Sequence, residues 1–330
     1  MRIDVVVNAN ARRYRVRPSL LDRVTAACAG AAELHPTSSL AELGEVCRWI
    51  ARRGTDLVVL SGGDGSYMAG VTALAAAFDG QPLPPVALLP GGTVATVARN
   101  WGMAGDPVDR LRCVLREHGG RGGVPLALCT TRRPTLRVRA TTGAGEEEAR
   151  VGFIFGTGLV AKFFDVYYQS GGAGYGAAAR IVARIFVESF YGGAYARRVL
   201  DPLPCTLEVE GRPLAPRSWS LVCAAVVRDL GIHMHVTYRA SEDLTRPHLV
   251  ASPLPSGQLG PRAPLVLAGR RIGGSDHFDD LVRDFTVRFT DASAAPSADG
   301  PYVLDGDMLR AREVRVSGGP ILDVLRPPGS

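Results

Sequence analysis

Through its first 118 residues the chain alternates short apolar runs with segments whose apolar residues recur at helical spacing. Ile3–Val7, Leu57–Leu60 and Val86–Leu89 read as buried strands, with Glu33–His35 as a shorter one. Between them, Leu20–Ala31, Ser39–Arg53, Ser66–Phe78, Thr93–Trp101 and Asp106–Glu117 read as helices. Pro18-Ser19, the run Thr37–Ser39 and Pro107 supply start signals, and Gly54 a stop. Alternation of this kind predicts a doubly wound parallel sheet with helices on both faces.

The texture changes near residue 124. Leu126–Thr130, Thr135–Ala140, Arg150–Phe155, Thr206–Glu210, Ser218–Val227, Leu265–Ala268 and Thr286–Phe289 have the length and composition of strands. One helical segment, Ala177–Phe190, interrupts them. Ala240–Pro264 and Ala292–Gly300 read as surface loops, and Gly119–Gly123 (GGRGG) as a hinge. The expectation is an α/β domain over residues 1–123, followed by a mainly antiparallel, sandwich-like β domain over 124–315.

Composition narrows the function classes. The chain has 330 residues, 46% hydrophobic and 21% charged, with room for two domains of ordinary size. Its longest apolar runs, Leu221–Val227 and Val151–Phe155, are strand-sized, so no transmembrane segment is expected. The start MRIDVVVNANARR lacks the shape of a signal peptide, which makes the cytoplasm the expected location. Six cysteines show no CxxC pair and no zinc spacing, and read as reduced thiols. The net charge of +6 suits anionic partners, yet no basic block is interleaved with aromatics, so nucleic acid is not expected. Lys162 is the only lysine, and Gly156–Lys162 (GTGLVAK) lacks the spacing of a Walker A loop. A protein-kinase core needs a strand lysine and an HRD loop, and is likewise set aside.

Two loops carry the candidate chemistry. Ser61–Ser66 (SGGDGS) follows the strand Leu57–Leu60, and Pro90–Thr93 (PGGT) follows Val86–Leu89; each leads into a helix. In such sheets ligands sit at the carboxyl ends of the strands. Glycines let backbone approach a ligand closely or take positive φ, and the helix starts offer N–H groups to an anion. Ser66 and Thr93 add hydroxyl donors. Tight turns alone would account for either loop, but two of them in equivalent places point to phosphate. Asp64 is the odd member, because a carboxylate in a phosphate cradle repels its ligand unless it handles a metal or a proton.

Gly62-Gly63-Asp64-Gly65-Ser66 resembles the GGDGT loop of the diacylglycerol kinase and sphingosine kinase superfamily, which NAD kinases share. Pro90-Gly91-Gly92-Thr93 with Ala98-Arg99 is similar to the lipid kinases' PGGTxNxxAR, and Asp305-Gly306-Asp307 to the DGE of bacterial lipid kinases. Gly156–Ala161 echoes a GxGxxA turn of the family; Asn8 and Asn10 stand near its NPxxG turn, and Thr37 where a family threonine touches the nucleotide. The chain departs from the pattern at Ala95 and Thr96, where the family has Asn and Asp, and at Asp307, which replaces Glu. An acidic residue expected near Val124–Leu128 is missing, and Leu244–Ala251 stands where some bacterial relatives hold a structural Mg²⁺, so no structural metal is expected.

The resemblance implies that the last strand, within about 316–330, returns to the first domain and that ATP lies between the domains. It implies a Mg²⁺- and ATP-dependent kinase acting on a lipid hydroxyl: diacylglycerol by default, with ceramide or a sphingoid base open. Nucleotide contacts would come from Asn8, Asn10, Thr37, Gly62, Gly63, Asp64, Gly65, Ser66, Gly91, Gly92, Thr93 and Asp305. Asp307 and Asp64 would be catalytic and would organise Mg²⁺, with Asp307 preferred as base. The enzyme would be cytoplasmic, meeting its lipid at a membrane surface, with peripheral attachment to the inner face of the membrane and a homodimer left open. An NAD kinase-like enzyme and a non-catalytic nucleotide- or lipid-binding homologue are the competing readings. Arg99 is expected to pack behind the PGGT helix, and Glu146–Glu148 to form a solvated hairpin tip. His233 and His235 read as two residues on one face of a strand, with no third metal ligand in view. Ala177–Phe190 reads as a helix covering the sheet, or as an amphipathic surface helix at a membrane.

Overall fold

The computed structural model describes residues 1–92, 94–118, 129–171, 174–290 and 299–325. They form two units: Met1–Arg133 together with Pro320–Ser330, and Pro134–Gly319. The expected hinge 119–123, the boundary at 123/124 and most of the loop 292–300 lie outside the described residues.

In the first unit, strands β1 (Ile3–Asn8), β2 (Glu33–Thr37), β3 (Leu57–Gly62), β4 (Val86–Pro90), β5 (Thr130–Arg133) and β19 (Leu322–Leu325) make one sheet in the order β2-β1-β3-β4-β19-β5. All pairs are parallel except β19 with β5. Every residue of β3 and β4 is buried, as strands covered on both faces require. Helices α1 (Arg12–Val16) and α2 (Ser19–Cys28) link β1 to β2; α3 (Leu40–Arg53) links β2 to β3, and α4 (Asp64–Phe78) links β3 to β4. After β4 come α5 (Thr96–Asn100) and α6 (Pro107–His118).

Right-handed crossovers place α2 on the opposite face from α3 and α4, because the chain runs outward from β1 to β2 and then back across. The packing agrees: α3 lies on α4, and α2 on α6. The strand order therefore reverses between β1 and β3, and a doubly wound sheet opens its ligand crevice at that point.

The second unit is antiparallel. Strands β6 (Leu136–Thr141), β7 (Glu147–Gly152), β9 (Leu203–Val209), β10 (Arg212–Pro213), β15 (Asp284–Phe289) and β18 (Glu313–Gly318) form one sheet, with the short β11 (Ser218–Trp219) pairing β9. The other sheet holds β8 (Ile154–Gly158), β12 (Leu221–Ala225), β13 (His248–Ser252), β14 (Phe278–Leu281), β16 (Gly300–Leu304) and β17 (Asp307–Ala311). Phe155 of β8 meets Phe285 of β15 edge-on at 5.6 Å, which joins the sheets face to face. On β12, Leu221 and Cys223 point the other way, into a core with Val166, Ile181, Ile185, Val199 and Leu200. These come from α7 (Leu159–Gln169), α8 (Tyr175–Ser189) and α9 (Ala194–Leu200). The segment expected at Ala177–Phe190 thus buries Ile181 and Ile185 against a sheet, while Val187, Phe190 and Tyr191 stay exposed.

Three expectations are corrected. Leu265–Ala268 is not a strand: Ala263–Leu267 is a short helix with Pro264 in its first turn. Ala240–Pro264 is not all surface loop, since it contains β13, buried throughout between β12 and β14. His233 and His235 do not lie on a strand; Gly231, Ile232 and His233 all take positive φ and turn the chain sharply.

Candidate functional site

The two glycine loops end on neighbouring strands, with Gly62 of β3 opposite Pro90 of β4. Their backbones are in direct contact. Gly91 and Gly92 both donate N–H to the Gly62 carbonyl, at 2.7 and 2.9 Å. A Cβ on Gly92 would collide with the Gly63 backbone, and one on Gly62 with the Ser66 side chain. A Cβ on Gly91 would stand 2.8 Å from Cε2 of Tyr14. Gly62, Gly63, Gly65, Gly91 and Gly92 are absent from the residues with positive φ, so close approach, rather than unusual dihedrals, is what excludes a side chain at 62, 91 and 92.

Asp64 is the clasp between the loops. It opens α4, and its two carboxylate oxygens accept the Thr96 and Val97 N–H groups at 2.8 and 2.9 Å. Those amides begin α5 and have no partner within the helix, so a carboxylate there both caps them and complements the helix dipole. Burial pushes the Asp64 carboxyl above its usual pKa, and the two N–H donors work against that rise. The residue before the clasped amides, Ala95, is held at φ 49°, ψ 55°, a left-handed conformation that Asn or Gly adopts more readily.

Asn8, at the end of β1, reaches across the switch point. Its Nδ2 donates to Ser66 Oγ at 2.8 Å, while its Oδ1 accepts the Asn10 N–H at 2.9 Å. Gly63 N–H also donates to Ser66 Oγ, at 3.3 Å. With two incoming donors on its oxygen, the Ser66 hydroxyl keeps its proton as a donor for a ligand. The amides of Asp64, Gly65 and Ser66 form the first turn of α4, where no intrahelical acceptor exists. Together these groups are donors that an anion could engage at the start of a 15-residue helix.

Asn10 anchors the neighbouring edge by donating Nδ2 to the Ser38 carbonyl at 2.7 Å. Thr37 pairs with Asn8 in register, but its side chain is buried and its hydroxyl bonds the Val7 carbonyl at 3.3 Å. Of the remaining expected contacts, Thr93 lies outside the described residues.

Two further supports were not foreseen from the sequence. Arg13 donates Nη1 to the Pro90 carbonyl at 2.9 Å, and its N–H to the Gly91 carbonyl at 3.2 Å. Tyr14, buried over Gly91, hydrogen-bonds Ser61 Oγ. The only sequence signal was their place after an Asn-rich turn; nothing in RRY indicates a loop eighty residues away.

In the second unit, Asp305 is buried at φ 51°. Its oxygens accept Phe153 N–H at 3.0 Å and Ile154 N–H at 2.9 Å, while its own N–H donates to the Ile154 carbonyl. It closes the β16–β17 hairpin onto the start of β8. Asp307 begins β17 with an exposed side chain. Desolvation by surrounding atoms raises its carboxyl pKa, with Arg150 opposing the rise. Tyr168 of α7 donates its hydroxyl to the Gly306 carbonyl at 2.8 Å and fixes the turn. Among the described residues no helix is long and apolar enough to cross a membrane.

Residues 2–123 match the diacylglycerol kinase catalytic domain, which bears out the superfamily resemblance of the glycine loops. Among solved structures, a candidate diacylglycerol kinase of Bacillus anthracis aligns over 99% of this chain and 97% of its own, with a TM-score of 0.67 at 15% identity. A diacylglycerol kinase of the same organism covers the same shares, with a TM-score of 0.61 at 14% identity. At such identities the likeness establishes the fold, an α/β unit joined to an antiparallel β unit. No curated protein matches the sequence.

Proposed function

We propose that the protein is an ATP-dependent lipid kinase, transferring the γ-phosphoryl group to a lipid hydroxyl of the diacylglycerol type. The observation that carries this reading is the clasped loop pair. Asp64 ties GGDGS to the PGGT helix and leaves the start of α4 open, with the Ser66 hydroxyl poised to donate. Such a cradle suits the phosphates of a nucleotide.

The site residues fit Mg²⁺ arriving with the nucleotide, since that ion keeps most of its waters and asks for only one or two carboxylates. Asp64 gives both oxygens to backbone N–H groups, so its charge would act on the hydrated ion through water. Bound there, Mg²⁺ would neutralise phosphate charge. Asp307 is assigned the acceptor proton. Its carboxylate takes the proton of the lipid hydroxyl, the hydroxyl oxygen bonds to the γ-phosphorus, and the bond from that phosphorus to the β-phosphate's bridging oxygen breaks to release ADP. The raised pKa of Asp307 moves it toward the range in which a carboxylate is an effective base. Exposed Val187, Phe190 and Tyr191, beside Arg184 of α8, support access to a membrane-borne acceptor.

The test is labelled ATP offered with diacylglycerol, ceramide, a sphingoid base and NAD⁺. Transfer to a lipid, abolished by Asp307→Asn with ATP affinity kept, supports the reading. Transfer to NAD⁺ alone would replace it with the NAD kinase-like one, and tight ATP binding without transfer with the non-catalytic one. Activity retained in Asp307→Asn would remove that residue from the role.

A further inference from the structure

A loop far from the glycine cradle in sequence brings together three side chains that none of the readings above uses. Asp229, His233 and His235 each offer one ligand atom, and these atoms lie within 4.8 Å of one another. Asp229 Oδ2 is already 3.6 Å from His233 Nδ1. Donors bound about 2.0–2.2 Å from a tetrahedral ion sit roughly 3.3–3.6 Å apart, so small side-chain rotations complete the set.

The convergence is built into the loop. Thr237, fully buried, donates its hydroxyl to the Val227 carbonyl at 2.9 Å and closes the base. Leu230, Met234 and Val236 pack on the apolar core beneath α7–α9 and pin the loop inward. His233 and His235, alternating with them, are left on the outer side. The turn between the ligands is forced by positive φ at Gly231 (103°), Ile232 (48°) and His233 (58°). A β-branched residue rarely takes that conformation. Leu230 and Met234 hold the turn through a backbone bond of 3.0 Å, and Gly231 N–H fixes Asp229 through Oδ1 at 2.8 Å, which directs Oδ2 toward the histidines.

We infer that Asp229, His233 and His235 form a binding site for a divalent transition-metal ion, of which Zn²⁺ is the representative. Two imidazoles and one carboxylate are the donor set of such ions, whereas Mg²⁺ and Ca²⁺ take oxygen donors. Three protein ligands leave at least one coordination position for water or an anionic group such as a phosphate oxygen. The site is thus distinct in chemistry from a Mg²⁺–nucleotide centre, and its existence does not depend on the kinase reading.

A second group with metal-ligating side chains among the described residues, Asp4 with Glu33 and His35, is a weaker candidate. Arg53 lies between its carboxylates and bonds to both, supplying the positive charge a metal would bring.

The experiment uses the full, tag-free chain stripped with chelator. Zn²⁺ is titrated in competition with a chromophoric chelator, and Co²⁺ is added separately for its visible absorption. One tight equivalent and a tetrahedral or five-coordinate Co²⁺ spectrum are expected. His233→Asn combined with His235→Ala should weaken Zn²⁺ by more than about 100-fold, beyond the roughly 10–100-fold cost of losing an outer-shell partner. Asn suits the left-handed position, which protects the fold, and circular dichroism checks it. Should that pair fail to fold, His235→Gln alone must show the loss. His35→Gln should leave binding unchanged. Absence of binding in the parent chain, binding retained in the histidine variants, or loss of binding in His35→Gln would each overturn the site.

Discussion

Asp64 and Asp305 stand in different units, one at a helix start beside a parallel sheet and the other in a hairpin of an antiparallel one. Both do the same physical work: each carboxylate accepts two backbone N–H groups and joins segments distant in sequence. They differ in what lies next to the joint. Beside Asp64 the backbone is bare glycine and an open helix start; beside Asp305 the chain is a packed hairpin, and the next exposed carboxylate is Asp307. An aspartate inside a glycine motif is therefore first a fastener, and its neighbours decide whether the fastened segment can also receive a ligand.

The sharpest way to break the first joint leaves both aspartates alone. Gly92→Ala drives a methyl into the Gly63 backbone, and neither partner can yield as a flexible side chain would. We expect a stability loss of about 3 kcal/mol, at the upper end for overpacking, and, on the proposed function, loss of measurable ATP binding by calorimetry.

Asp64→Asn and Asp305→Asn test the aspartates directly. Each trades an acceptor for an amide that faces an N–H donor, with an expected cost of about 1–3 kcal/mol in denaturant unfolding. On the proposed function the two should part: Asp64→Asn should abolish ATP affinity along with any phosphoryl transfer, and Asp305→Asn should lose stability first. Asp64 also sets a pH dependence. Burial raises its carboxyl pKa above the usual 3.8 in the folded chain, so its contribution is full below the unfolded value and falls as pH rises through the folded one. The stability cost of Asp64→Asn should therefore shrink between acid and neutral pH, and a cost that grows with pH would contradict this.

The smallest effect runs the other way. Ala95→Gly relieves the left-handed alanine, and a gain of roughly 1 kcal/mol is expected from chemical denaturation, with the clasp intact. Destabilisation would mean that the buried methyl matters more than the dihedral.

Much of this was legible because strand–helix alternation and loop placement are local properties. β3 and β4, with the glycine loops after them, follow from apolar runs ended by glycine. The glycines' actual duty was not legible: Gly62 faces Ser66, Gly91 faces Tyr14 and Gly92 faces Gly63, and only the first of these contacts is local. Arg13 was hidden for the same reason. In the second unit, His248–Ser252 was masked by flanking proline and serine, and a four-residue apolar run at 265–268 has no periodicity to separate helix from strand. The Asp229–His233–His235 grouping escaped because it rests on three consecutive positive dihedrals, one of them at an isoleucine.

Strand β19 sits between β4 and β5, although nearly two hundred residues of the second unit separate it from β5. The sheet of the first unit consequently cannot be completed before residues 322–325 have been made; until then β4 waits with one edge bare. Such long-range pairing slows folding and prolongs the exposure of an all-apolar strand. Synthesis of the first unit without that strand should give an aggregating fragment, and a chain cut short before Leu322 would carry a β unit attached to an unfinished sheet.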